Sequence, residues 1–176
     1  ESKNLVQTLD QADGFLRQQQ TVIDRYSDFL AHWDLVPHNF RVRDREIYLL
    51  DHSSFRFGNK YESWARFVNF MTLYNRPLEK ALVEFIAENR TPEEMTAFRA
   101  MRVFRLSELI HFYRLTLDKV SGDLLRLNTK RMDFWARVLS SVLDDRPVAD
   151  AVVNDYIAVR DSLRSPEEKQ RQHRLH

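Results

Sequence analysis

The chain of 176 residues contains no cysteine, which excludes disulfides, thiolate nucleophiles and Cys-ligated metals together. Glycine and proline are scarce, at three and five, and so few turn-forming residues favour long helices over a many-stranded sheet. The glycines stand far apart, at 14, 58 and 122, so the chain encodes no Gly-rich phosphate loop. An excess of one charge is missing as well. The formal net charge is +1, which gives no field to draw in nucleic acid or anionic lipid. No apolar run approaches the ~20 residues of a spanning helix, so no membrane partner is expected. The opening Glu-Ser-Lys-Asn lacks both the basic-then-apolar pattern of a signal peptide and an initiator Met. It is expected to lie inside a longer product, in a reducing, cytoplasmic setting.

What is present is an ordinary globular balance, 43% hydrophobic and 30% charged, with twelve Phe, six Tyr and three Trp to fill a core. Leu5, Leu9, Ala12, Leu16, Ile23, Tyr26 and Leu30 follow a helical spacing, which predicts a leading helix over 2–31, single or broken near Gly14. Residues 31–60 change character. Phe40-Arg41-Val42 and Ile47-Tyr48-Leu49-Leu50 flank Arg43-Asp44-Arg45-Glu46, the pattern of a two-stranded hairpin. Helical spacing resumes at Trp64, with Asn59 and Glu62 placed as a capping box. Pro77, Thr91-Pro92-Glu93-Glu94, Leu124 and Pro147 mark four further helix starts. The expected fold class is mainly α with one short β-hairpin, over residues 1–163. It comprises the leading helix, a loop-and-hairpin segment at 32–58 and a helical subdomain at 59–163, with a polar, frayed tail at 164–176.

His32-Trp33-Asp34-Leu35-Val36-Pro37-His38-Asn39 spells H-x-D-L-x-x-x-N, and twelve residues beyond Asn39 the run Tyr48-Leu49-Leu50 ends in Asp51. Phosphoryl transfer needs these residue types: a carboxylate to orient the attacking hydroxyl, and two more oxygen ligands for the Mg²⁺ that bridges the phosphates. From the chain's composition, about 0.02 chance matches to the motif are expected. A loop before a hairpin can present Asp34 and Asn39 together, and the returning strand can bring Asp51 back beside them.

The stretch from about Phe29 to Phe70 resembles the aminoglycoside phosphotransferase and choline kinase superfamily, which has a protein-kinase-like fold. The family pattern is H-G-D-L-x-x-x-N, a hairpin, then I-D-[FW]. Gly58-Asn59-Lys60-Tyr61-Glu62-Ser63-Trp64-Ala65-Arg66 is similar to the family's G-D-P-x-x-D-L-A-R segment. The resemblance implies a C-terminal lobe in which Asp34 is the catalytic base, Asn39 and Asp51 are Mg²⁺ ligands, and His32 braces the loop. It implies ATP and Mg²⁺ as cofactors and a small-molecule hydroxyl as acceptor. It also implies either an N-terminal nucleotide lobe packed on the hairpin face or a homodimer through that face. Three departures accompany it. Trp33 replaces the usual Gly, Ser63 replaces the Asp that braces the catalytic loop, and no nucleotide-clamping half precedes His32. A non-catalytic kinase-fold binding module is therefore the second reading.

A third reading takes His32, Asp34 and His38 as ligands of a divalent-metal hydrolase. His52 and His111 read as structural histidines. Arg41, Arg43 and Arg45 on one strand face, and Arg99, Arg102 and Arg105 on one helix face, read as solvated surfaces.

Overall fold

The computed structural model describes residues 2–164 of the chain. The N-terminal apolar stripe forms two helices, α1 (Ser2–Gln18) and α2 (Gln20–Arg25). The break falls at Gln19, where the apolar spacing lapses, while Gly14 lies within α1. The helix expected to reach residue 31 ends six residues early. Asp28 adopts φ 66°, a left-handed conformation that a helix cannot continue through, and Phe29–His32 becomes a strand, β1. Its partner is distant in sequence, which local periodicity cannot reveal.

The expected hairpin is present as β2 (Phe40–Arg43) and β3 (Glu46–Leu49), antiparallel with Phe40 opposite Leu49 and Arg43 opposite Glu46. Asp44 and Arg45 form its turn with φ 53° and 67°, the two positive values that suit the right-handed twist of a tight hairpin. A second antiparallel pair was not anticipated. β1 joins β4 (Phe55–Gly58), with Phe29 opposite Gly58 and His32 opposite Phe55. The chain from residue 32 to 55 is thus a closed excursion with paired ends.

Five helices follow: α3 (Glu62–Tyr74), α4 (Arg76–Asn89), α5 (Pro92–Thr116), α6 (Gly122–Leu143) and α7 (Asp150–Leu163). The described chain is therefore mainly helical, with two small antiparallel sheets. Asn75 caps α4 by accepting the Leu78 N–H. Thr91 and Glu94 form a reciprocal capping box on α5, each accepting the other's backbone N–H. The box expected from Asn59 and Glu62 does not form. Asn59 Oδ1 accepts the Tyr61 N–H, and Glu62 turns inward to arginines. The last helix begins at Asp150 rather than at Pro147. The expected frayed tail, past Arg164, lies outside the described residues.

The chain divides into two compact units, Ala12–Arg105 and a second formed by the residues up to Gln11 with those from Leu106 onward. In the first, Tyr61, Ala65, Val68, Ile86, Phe98 and Met101 form the core. In the second, α6 and α7 pack together, with Phe134 stacked on Tyr156 at 4.6 Å between ring centroids.

The arginines of α5 are not a solvated face. Arg102 reaches Glu79 and Asn69, and Arg105 reaches Glu62 and the Trp33 carbonyl. Glu62 and Glu79 are only 4% and 6% exposed, so each needs this pairing to be buried as an ion.

Two measurements check this framework. A Cβ on Gly58 would lie 2.8 Å from Glu62 Oε2, on a carboxylate that Arg56 and Arg105 hold through Oε1. Gly58→Ala is expected to cost about 1–3 kcal/mol in chemical denaturation. Glu94 is pulled down to about 2 by hydrogen bonds from Tyr61, the Thr91 N–H and Lys60. A depressed carboxylate stabilises the fold above its ordinary value near ~4.3 and loses that contribution as pH falls through its folded value. Acid denaturation is expected to lose stability between about pH 4 and 2 in the wild type, and less steeply in Glu94→Gln.

Candidate functional site

All four residues singled out by the motif lie in the Ala12–Arg105 unit, and the two sheets bring them to one region. His32 ends β1 and is 3% exposed. Its backbone N–H donates to Ser63 Oγ at 2.8 Å, and its Nε2 lies 3.0 Å from the Leu50 carbonyl. One buried residue therefore ties β1, α3 and the exit of the hairpin together. Ser63, where the resembled family has Asp, supplies the acceptor that the loop backbone needs.

Asp34 sits on the turn after β1. Its Oδ1 accepts from Arg66 Nη2 at 3.0 Å and its Oδ2 from Asn39 Nδ2 at 3.3 Å. The same Asn39 amide donates to the Asp34 carbonyl at 2.8 Å. The carboxylate side chain remains 38% exposed, so it is held from two sides yet reachable from solvent. His38 Nε2 lies 4.0 Å from Asp34 Oδ2. Arg66 was not anticipated as a partner of Asp34. The signal was its place at the end of the Trp64-Ala65-Arg66 segment, on the α3 face that meets the loop.

Asn39 spends its N–H₂ on Asp34, which leaves Oδ1, the atom a cation would use, without a protein donor among the described residues. The Leu50 N–H donates to the Asn39 carbonyl at 2.8 Å, extending the hairpin ladder by one pair. Asp51 is the next residue, so its Cα lies within about 9 Å of that of Asn39 from strand-pair and peptide spacings. It is not a strand residue. Asp51 adopts φ 56°, which re-aims the chain into a short 3₁₀ turn, His52–Ser54. Its Oδ1 and Oδ2 accept from the Ser53 and Ser54 hydroxyls at 2.6 and 2.5 Å. These two bonds hold the Asp51 carboxyl below the usual aspartate range, with small further help from His32 and His52.

Trp33 packs against two arginines. Arg56 stacks on its ring, Arg105 lies 5.1 Å from the ring centroid, and Glu62 pairs with both arginines. The indole is packing, and its bulk sits opposite Gly58, the position where no side chain fits. His52 contacts Phe55 and bonds the Leu49 carbonyl, a structural role. Among the described residues no three His, Cys, Asp or Glu side chains gather as a metal set. His32, Asp34 and His38 thus lack the convergence that a His-based hydrolase centre needs.

The donor types, one amide oxygen and one carboxylate, are those of a hard cation. Mg²⁺ is held by one or two protein oxygens together with waters and substrate phosphates rather than by an all-protein cage. Asn39 Oδ1 and the serine-oriented Asp51 carboxylate are oxygen donors of the type such a cation takes.

Compared with known proteins, the chain matches no family model, no curated sequence and no solved structure. No described helix is long and apolar enough to cross a membrane.

The Asp51 environment gives a direct test. In ¹³C-detected titration of the metal-free protein, the Asp51 carboxyl is expected to titrate below the ordinary value of about 3.9. Replacing Ser53 and Ser54 by Ala should move it upward. An unchanged midpoint in that double variant would show that the two hydroxyls do not hold the carboxylate in solution.

Proposed function

We propose that this chain is the C-terminal catalytic lobe of an ATP-dependent phosphotransferase with a kinase-like fold, acting on a small-molecule hydroxyl. The observation that carries the reading is the closed excursion between β1 and β4, which returns Asp51 to Asn39 while Asn39 itself grips Asp34. In this reading Asp34 orients the acceptor hydroxyl and takes its proton, a role that needs an ionised, solvent-reachable carboxylate. Arg66 and Asn39 hold that carboxylate in place, and Asn39 Oδ1 with Asp51 would hold Mg²⁺. The bound cation supplies neutralisation of charge on the transferring phosphate. His32 fixes the loop through Ser63 and Leu50.

The two sequence departures that favoured a non-catalytic module are both accommodated. Ser63 accepts the loop N–H, and Trp33 is turned into packing between arginines.

In this reading the nucleotide's base and its lysine clamp are the work of a further, N-terminal lobe. The apolar surface that such a lobe would cover is present on both sheets. Val42 and Ile47 face each other across the hairpin at 73% and 70% exposure, and Leu30 and Phe57 pair across β1 and β4 at 64% and 76%. Patches of this kind mark an interface. A second copy of the chain on the same face is the alternative occupant.

Two experiments test the reading. Calorimetry of the 176-residue chain with ATP and Mg²⁺ is expected to show no micromolar affinity. In the protein that carries the nucleotide lobe, Asp34→Asn is expected to lower kcat by about 10²-fold or more. Near wild-type turnover in a folded Asp34→Asn variant would refute the assignment.

A further inference from the structure

The acceptor's chemistry is written on the surface beside Asp34. Arg66, Phe70 and Tyr74 stand at intervals of four along α3 and therefore share one helix face. Arg66 holds Asp34. The exposed His38 ring, next to the Asp34 carboxylate, meets the Phe70 ring edge-on at 6.4 Å. Phe70 in turn stacks on Tyr74 at 4.3 Å and 20°. Tyr74 is 42% exposed, and no described protein group bonds its hydroxyl. From Arg66 to Tyr74 the helix rises about 12 Å, the length of a one- or two-ring ligand. The result is a continuous aromatic ramp that ends at a carboxylate.

Charge decides which ring-bearing alcohols suit that ramp. Arg66 and the exposed Arg41, which donates to the His38 carbonyl, are cations beside it. Four carboxylates of α3, α4 and α5 are paired: Glu62 with Arg56 and Arg105, Glu79 with Arg76 and Arg102, Glu94 with Lys60, Glu93 with Arg25. Recognition of a polycationic or quaternary-ammonium acceptor needs carboxylates free to face it. Here the carboxylate that the ramp ends at, Asp34, is already paired with Arg66. An uncharged ring, by contrast, can lie on His38 and Tyr74 through its apolar face while its hydroxyls meet Tyr74 Oη and Asp34.

Resting on the phosphotransferase reading, we infer that His38, Phe70 and Tyr74 form the acceptor subsite, and that the acceptor is an uncharged ring-bearing polyol of the sugar, cyclitol or nucleoside type. This differs from the cationic acceptors after which the resembled family is named. Phe70 is the scaffold of the ramp, since its face is covered by Tyr74. Tyr74 and His38 are the contact rings.

The test is saturation-transfer NMR on the 176-residue protein without metal or nucleotide. The probes are methyl α-D-glucopyranoside, myo-inositol, adenosine, choline and kanamycin. At least one neutral probe is expected to receive saturation. Its affinity should fall by about 5-fold or more in Tyr74→Ala and in His38→Ala, and by less in Tyr74→Phe, which keeps the ring and loses only the hydroxyl contact. Both altered positions are exposed, and circular dichroism of each variant confirms that the fold is retained. Saturation of choline or kanamycin only, of no neutral probe, or of a neutral probe with equal affinity in Tyr74→Ala, overturns the inference. Because this binding needs no phosphate chemistry, the two readings fail separately. Neutral-ring binding at Tyr74 in a protein whose Asp34→Asn variant keeps full turnover would leave the subsite and remove the base. A lobe-complete enzyme that depends on Asp34 but ignores neutral rings would do the reverse.

Discussion

The arrangement depends on how one buried residue, His32, is held. Its backbone N–H ends on Ser63 of α3 and its ring on the carbonyl of Leu50, so the turn that carries Asp34 and the exit that carries Asp51 share one anchor. Neither bond is strong by itself. A typical hydrogen bond nets about 1 kcal/mol, but leaving a buried donor or acceptor unmet costs about 1–3 kcal/mol. That asymmetry turns two modest contacts into a constraint on position. If Ser63 lost its hydroxyl, the His32 N–H would be stranded and the loop would have to move to find water.

Around that anchor the structure uses arginine for two opposite purposes. Arg102 and Arg105 neutralise buried glutamates and fix α3, α4 and α5 against one another. Arg66, on the same helix as Ser63, reaches outward to Asp34 and orients a carboxylate that stays exposed. The first use is structural, and the second orients the carboxylate to which the proposed function assigns the base. Trp33 belongs with the first. It fills the space beside Gly58 and rests on Arg56 and Arg105, as a ring that fills core does.

Much of this was legible in the residues alone. The hairpin across Arg43-Asp44-Arg45-Glu46 and the helix start at Thr91-Pro92 are local patterns, and each formed where the spacing placed it. What could not be read was non-local. β1 looks like the end of a helix until Phe55–Gly58 is brought opposite it, and the reversal at Asp28 leaves no periodic signal. The Arg99, Arg102 and Arg105 spacing marks a shared face, but only the fold shows that Arg102 and Arg105 meet buried glutamates rather than water. Arg66 and the Phe70–Tyr74 stack were hidden for the same reason, since their partners Asp34 and His38 lie about thirty residues away in sequence. The cation itself is a chemical inference from an amide oxygen left free and a carboxylate turned by two serines.

The central claim is that Asn39 and Asp51 belong to one cation site beside Asp34. It is tested most directly by adding Mn²⁺ to the isotopically labelled protein and following paramagnetic broadening residue by residue. The account predicts that the Asn39 side-chain amide and the backbone amides around Asp51 broaden first and together, with Asp34 close behind. It also predicts that Asp51→Asn removes the effect at Asn39. Broadening spread over the acidic surface, with the Asn39 amide sharp while Asp51 relaxes, would contradict it.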